Sequence, residues 1–241
     1  MEGEKTAIIL AGGLGSRLKA EVPDCPKPLA PIAGRPFLAY ILRQLQQSGF
    51  RHVRLSVGYM AQQIMDYCGD YFEGLSISYA VEERPLGTGG AIVYASEGLP
   101  EDQPIWVLNG DTYFDINFPG MEQFYADQAA DIVIALKYME HFERYGAVEL
   151  DSELRIKAFG EKTLREQGWI NGGIYLFRPG LLHQYPSGTA FSFEQAFLEA
   201  HIESIRTFGF CSTGYFIDIG VPEDYRKAEA DFKRGAPILK R

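Results

Sequence analysis

The chain has 241 residues, 46% of them apolar, with 32 acidic and 23 basic side chains and a formal charge of −9. That length buries a sizeable core, while the acidic balance excludes a nucleic-acid surface, which needs a basic stripe. No apolar run approaches the ~20 residues of a membrane-spanning helix and the N-terminus shows no signal-peptide h-region, so no membrane association is expected. Cys25, Cys68 and Cys211 are widely spaced and suggest neither a disulfide framework nor a zinc site, and a reducing cytoplasm is the expected location. His52, His141, His183 and His201 show no metal-ligand spacing either.

In chain order, Thr6–Leu10 reads as a buried strand. Pro36–Gln47 reads as a helix, with Phe37, Leu38, Ile41, Leu42 and Leu45 on one face and Gly49 just past its end. Val53, Leu55 and Val57 alternate as a strand, and residues Ala61–Tyr71 are expected to be helical. Leu75–Val81 follows as a strand, Gly89–Ser96 as a helix and Ile105–Leu108 as a short apolar strand. This alternation implies a parallel sheet covered on both faces, in which ligands sit beyond the carboxyl ends of the strands. The later part is richer in strands: Ile132–Leu136, Ala147–Leu150, Ile156–Phe159, Ile174–Phe177, Ile205–Phe210 and Tyr215–Ile219. Asp151-Ser152 suits a hairpin turn, Ser192-Phe193-Glu194-Gln195 opens a helix with a capping-box pattern, and Pro222–Phe232 closes with a helix. Neither an internal repeat nor a linker breaks the chain. The expectation is one domain over 1–241, with a nucleotide-facing half over about 1–130 and a sugar-facing half over about 131–241.

Chemistry concentrates first in the run from Ala7 to Arg17, followed by Pro26-Lys27-Pro28. An apolar strand empties into Ala11-Gly12-Gly13-Leu14-Gly15-Ser16, whose glycines let successive backbone N–H groups approach phosphate oxygens. Arg17 adds a planar fork for a phosphate and Lys27 a compact point charge. Together they describe a polyphosphate site. It is not a P-loop, because no lysine followed by Ser or Thr closes it. A dinucleotide fingerprint fails as well, because Leu18 stands where the third glycine belongs. Asp111 lies past another strand end, which is an independent reason to place it beside the glycine loop.

These segments resemble the signature of the sugar-1-phosphate nucleotidyltransferases, L-A-G-G-x-G-[ST]-R-L followed by P-K-P. The resemblance runs on in the family's order through Glu82-Glu83-Arg84-Pro85-Leu86-Gly87-Thr88-Gly89-Gly90-Ala91, Leu108-Asn109-Gly110-Asp111, Tyr145-Gly146, Glu161-Lys162, Asn171-Gly172-Gly173 and Phe216-Ile217-Asp218-Ile219-Gly220. It spans roughly residues 5 to 228, and its PLGTGGA, INGGIYL and YFIDIGVPEDY strings are closest to the heptose 1-phosphate guanylyltransferase branch. The implied fold is α/β, a single-domain Rossmann-like (glycosyltransferase-A-like) nucleotidyltransferase with a mostly parallel central sheet. No hexapeptide repeats follow, so no C-terminal β-helix is expected.

The implied reaction is attack of a sugar 1-phosphate oxygen on the α-phosphorus of an NTP, releasing pyrophosphate. Its nucleophile is already an anion, so the work is positioning and charge stabilisation. By resemblance, Arg17 grips the β- and γ-phosphates, aided by backbone from Leu10 and Ala11 through Gly12, Gly13, Gly15 and Ser16. Lys27 reaches the α-phosphate and Lys162 the sugar phosphate, although Thr163 stands where the family often has proline after Lys162. Asp111 and Asp218 are the expected Mg²⁺ ligands. A hard cation that keeps several waters needs only one or two carboxylates plus phosphate oxygens. Asp218 also opposes the apolar pattern of its strand, where a charge needs a partner.

The resemblance aligns Glu82 with a base-contacting position that other family members often fill with glutamine. A carboxylate only accepts hydrogen bonds, and guanine's edge offers two adjacent donors, so Glu82, or Glu83 beside it, favours GTP. Gly87, Thr88, Asn109 and Gly110 complete the implied nucleotide site. Tyr145, Gly146, Glu161, Asn171 and Gly172 are the implied readers of the sugar. The alternatives are a relative using another hexose 1-phosphate or UTP, dTTP or CTP, and a non-catalytic regulatory subunit that binds a nucleotide sugar. A regulatory subunit is expected to lose Arg17, Lys27 or a metal aspartate, and this chain keeps them all. Homodimerisation is expected by analogy alone.

Overall fold

The Thr6–Leu10 strand buries Ala7, Ile8 and Ile9 completely, as a strand covered on both faces must. In the computed structural model, which describes residues 5–235, this strand pairs in parallel with His52–Val57, and that in turn with Leu75–Val81. The fold is α/β, with a mostly parallel central sheet flanked by helices, as expected. Residues 1–4 and 236–241, the ends of the expected domain, lie outside the described residues. Contacts divide the described residues into two compact units, one of 5–85, 108–115 and 215–235, the other of 86–107 and 116–214. Each unit draws on both halves of the sequence. Among the described residues no helix is long and apolar enough to cross a membrane.

In the first unit the helix Phe37–Gln47 buries its apolar stripe and ends as the sequence indicates. Gly49 takes φ +87°, Gly49 N donates to Gln46 O and Phe50 N to Leu45 O. That is the Schellman pairing, in which a left-handed residue satisfies the last carbonyls. The helix expected over residues 61–71 stops at Cys68 instead. Gly69 turns out of it with φ +58°, and Tyr71–Phe72 pairs back on Leu75–Ser76 around a tight Glu73-Gly74 turn with φ +43° and +98°. Two positive φ values in a two-residue loop suit the twist of a hairpin. Thr112–Phe114 and Phe216–Asp218 form a short antiparallel pair, with Asp218 opposite Thr112. The closing helix, Pro222–Lys233, starts with proline and two acids and ends with a lysine, matching its dipole.

The second unit is built on a long antiparallel pair, Ile132–Phe142 with Arg165–Phe177, to which Thr207–Ser212 adds in parallel. The sequence reading caught only Ile174–Phe177 of the second strand, because residues 165–167 are exposed and polar. Ala147–Leu150 and Ile156–Phe159 form the expected hairpin, with Asp151 Oδ1 accepting from Glu153 N and Arg155 N across its turn. A helix over Phe118–Asp127 was not foreseen, since Pro119 and Gly120 disguise its first turn; Asn117 caps it by accepting from Gly120 N. Ser192 caps Phe193–Glu199 through Gln195 N, but that segment winds as a π-helix. Phe193 stacks on Phe177 and Phe197 at 5.3 and 5.5 Å between ring centroids.

Burial pushes the Cys68 thiol up from 9.0 to about 12. The folded chain therefore keeps the thiol protonated where an unfolded chain ionises it. Its contribution to stability is complete below about pH 9 and is lost as pH rises through about 12. Chemical denaturation at pH 8, 10 and 11.5 should show the midpoint falling more steeply in the parent chain than in Cys68→Ala. Equal slopes would remove Cys68 from the alkaline response.

Candidate active site

The loop leaving Thr6–Leu10 is tied down at both ends. Ala11 N donates to Ser56 O at 2.8 Å, and Leu18 N to Gly15 O at 2.9 Å. Leu18 is 1% exposed, so the residue that breaks the dinucleotide fingerprint is the loop's anchor in the core. Gly15 has φ +57°, and a Cβ there would lie 3.0 Å from Lys27 Cβ, so only glycine brings the loop this close to the lysine. A cavity of about 200 Å³ opens at this point. Leu10, Ala11, Gly13, Gly15, Ser16, Arg17, Lys27, Pro28, Asp111 and Gly220 line it. Arg17 is exposed at this cavity.

Lys27 heads a one-turn 3-10 helix, Lys27–Leu29, between buried Pro26 and Pro28. Its side chain is only 11% exposed, and its Nζ lies 2.5 Å from Asp111 Oδ2 and 3.8 Å from Asp218 Oδ1. The aspartates are brought together by the short antiparallel pair that follows one and ends in the other, and by Ile219 N donating to Asp111 O at 3.0 Å. Asp218 Oδ1 also accepts from Gly220 N at 2.7 Å, and Asp111 Oδ1 from Thr112 Oγ1 at 3.2 Å. A Cβ on Gly220 would sit 2.8 Å from Asp218 Oδ1 and 3.1 Å from Lys27 Nζ, which explains the glycine. Two carboxylates thus converge on one cation. Among the described residues no cluster of three or more His, Cys, Asp or Glu could hold a metal. Two carboxylates still fit a hard divalent cation that completes its shell with water and phosphate oxygens.

Glu82 is set beside the loop from another strand end. Its N–H donates to Val57 O at 2.8 Å, and its Oε1 accepts from Ser56 Oγ at 3.0 Å. A Cβ on Gly12 would lie 2.8 Å from that oxygen. Glu83 is exposed, so the structure separates two carboxylates that the sequence left equivalent. Asn109 ends its strand, and Gly110 N donates to Leu10 O at 2.9 Å.

In the second unit, Gly87 and Gly89 make room for Phe191. Gly87 has φ +67°, a Cβ there would lie 2.6 Å from Phe191 O, and one on Gly89 would strike the Phe191 ring. Thr88 donates its hydroxyl proton to Glu194 Oε2 at 2.9 Å and accepts from Phe193 N at 2.8 Å. Glu194 Oε1 accepts from Tyr175 OH at 2.9 Å, and Tyr175 OH accepts from Asn171 Nδ2 at 2.9 Å. Thr88 and Asn171, assigned from sequence to different substrates, are therefore ends of one network whose hub, Glu194, sequence reasoning took only for a helix-cap residue. Asn171 begins a bulge: its strand shifts register between Asn171 and Tyr175, Gly173 takes φ +72°, and Asn171 Oδ1 accepts from Gly173 N. Bulges re-aim side chains in this way beside functional sites, and Gly172 is buried within it.

Tyr145 lies against the Arg144 guanidinium at 5.5 Å, and Gly146 packs so closely on the Gly160 carbonyl that no side chain fits. Glu161 and Lys162 are exposed on the loop after Ile156–Phe159 and are not drawn into the Asn171 network.

The comparisons with known proteins give the class to which this chain belongs. Residues 6–235 match the nucleotidyl transferase family model, and the chain belongs to that family of enzymes. It is 44% identical over 227 residues to the D-glycero-alpha-D-manno-heptose 1-phosphate guanylyltransferase of Aneurinibacillus thermoaerophilus, covering 94% of this chain and 98% of that one. The enzyme of the same name from Campylobacter jejuni is 42% identical, with 91% and 96% covered. Among solved structures, HddC from Yersinia pseudotuberculosis in complex with GMP-PN superposes with a TM-score of 0.84 at 35% identity, covering 95% of this chain and 100% of that one.

The glycines of this site are not equivalent. A Cβ on Gly110 would lie 2.6 Å from the Leu10 carbonyl oxygen, whereas one on Gly13 would meet nothing within 4 Å. Gly110→Ala should cost roughly 1–3 kcal/mol in thermal or denaturant unfolding, and Gly13→Ala within about 0.5 kcal/mol of the parent chain. Equal stabilities would refute the close approach of the two strand ends.

Proposed function

We propose that the chain transfers guanylate from GTP to D-glycero-α-D-manno-heptose 1-phosphate, releasing pyrophosphate and forming GDP-heptose. The observation that carries this reading is the clamp of Lys27 by Asp111 and Asp218 at a cavity lined by the glycine loop and Arg17. The sugar phosphate is an anion and needs no general base, so a site made of cations, backbone donors and carboxylates is sufficient chemistry. Arg17 and the N–H groups from Gly12 to Gly15 bind the leaving β- and γ-phosphates. Lys27 neutralises the α-phosphate, and Lys162 holds the phosphate of the acceptor.

Asp111 and Asp218 are the proposed Mg²⁺ ligands; the bound ion supplies charge neutralisation at the phosphate oxygens. Glu82, accepting from N1–H and the 2-amino group, favours guanine over bases that present an acceptor there. Asn171, with Tyr145, Gly146, Glu161 and Gly172, reads the sugar hydroxyls. The relatives named for heptose 1-phosphate guanylyl transfer, similar over nearly their whole length, support this substrate pair. With the activity we propose a cytoplasmic location and a homodimer.

Pyrophosphate release with Mg²⁺, crossing GTP, UTP, dTTP, CTP and ATP with heptose, mannose and glucose 1-phosphates, tests the pair. Turnover confined to GTP with the heptose substrate is expected. Turnover with another pair would discard the specificity and keep the clamp, and none in folded protein would favour a regulatory subunit. Asp111→Asn and Asp218→Asn should each lower turnover by roughly 10²-fold or more with little change in melting temperature. Near-normal Mg²⁺-dependent turnover in either would end the metal assignment.

A further inference from the structure

We infer that Ser56 aims the base-reading carboxylate of Glu82 and thereby sets discrimination for the guanine 2-amino group, an inference that rests on the base contact proposed for Glu82. Ser56 lies in the strand His52–Val57, is 0% exposed, and is one of only three buried polar residues among those described. A buried hydroxyl without a partner is costly, and this one donates to Glu82 Oε1 at 3.0 Å. The same residue's carbonyl accepts from Ala11 N at 2.8 Å, at the entry to the glycine loop. Ser56 therefore ties the loop and the carboxylate to one rigid strand.

Glu82 is fixed at two further points. Its backbone N–H is held by Val57 O, and the space beside Oε1 exists only because residue 12 is glycine. A glutamate side chain is otherwise rich in rotamers, and leaving it free disperses the direction of its acceptors. Direction matters most for two donors side by side. A carboxylate in the correct plane accepts from both N1–H and the 2-amino group, whereas a tilted one still reaches a single donor. Hypoxanthine keeps N1–H and lacks the amine. The contribution of Ser56 is thus read in the ratio of GTP to ITP, and hardly in turnover at saturating GTP. Ser56 acts through Glu82 and is a positioning residue.

The test is kcat/KM for GTP and ITP in the parent chain, Ser56→Ala, Glu82→Gln and the double variant, with circular dichroism to verify folding. Ser56→Ala should lower the GTP/ITP ratio about tenfold, the order expected for a misdirected charged hydrogen bond, with kcat for GTP within about twofold. The double variant should be no less selective than Glu82→Gln alone, because the inferred route from the serine to the base runs through that side chain. Ser56→Cys, close in size with a weak S–H donor, should fall between parent and alanine. A parent-like ratio in folded Ser56→Ala and Ser56→Cys, with a lowered ratio in Glu82→Gln, would overturn the inference and leave the Glu82 contact standing. An unchanged ratio in Glu82→Gln would instead remove the base contact itself.

Discussion

One lysine held between two aspartates sets the geometry of the candidate site in the first unit. The Lys27 ammonium, 11% exposed, neutralises part of a charge cluster that would otherwise repel itself across a few ångströms. Three distant segments must meet for this. Prolines on either side of Lys27 fix its approach, the Thr112–Phe114/Phe216–Asp218 pair sets the aspartates side by side, and Gly220 leaves room for both charges. Gly110, hydrogen-bonded to Leu10 O, ties the end of the Asp111 strand to the mouth of the glycine loop. A register slip of one residue in the short pair would turn Asp218 to the opposite face, so two three-residue strands hold the proposed metal ligands in place.

Glycine in this chain serves two different constraints, and the sequence shows only that glycine is present. In the first loop, Gly15 supplies a positive φ and a close pass by Lys27, which is what a phosphate-facing turn requires. In PLGTGGA, Gly87 and Gly89 instead admit Phe191, Gly90 packs on the Thr189 carbonyl, and Thr88 turns its hydroxyl proton inward to Glu194. The motif that resembles a nucleotide contact is thus also a packing joint for the segment that bears Glu194. Through Glu194 and Tyr175 it reaches Asn171, linking two motifs whose separation in sequence gives no hint of contact.

What was legible followed from strong local signals. Apolar periodicity with Gly49 behind it predicts the helix that ends at Gln47, and a buried apolar run in Thr6–Leu10 and apolar alternation in His52–Val57 and Leu75–Val81 predict the parallel strands. Elements whose stability comes from neighbours were not legible. The exposed start of Arg165–Phe177 is a strand because Ile132–Phe142 pairs with it, and Phe118–Asp127 is a helix despite Pro119-Gly120 because Asn117 caps it and Phe118, Met121 and Tyr125 are buried. At the site, charged residues in a glycine loop were visible from type and spacing. Ser56 was invisible, since a serine in an apolar strand carries no signal until its partner is placed, and the same holds for Glu194 behind a helix cap.

The chain's overall charge of −9 poses a question for a protein proposed to bind two anions, and the clamp supplies an answer. Exposed charges beyond about 8–10 Å are largely screened at physiological salt, so the local set decides. There, Lys27 balances one of two carboxylates and Arg17 stands exposed at the same cavity. The four charges sum to nothing, and in the proposed reading the backbone N–H groups of the glycine loop would offer the remaining attraction for phosphate. A polyphosphate entering alone would meet two carboxylates as well as two cations. Were it to arrive with a divalent cation, as proposed, Asp111 and Asp218 would be the ligands and Lys27 would be left for a phosphate oxygen, so the groups that would oppose the bare nucleotide would favour its metal complex.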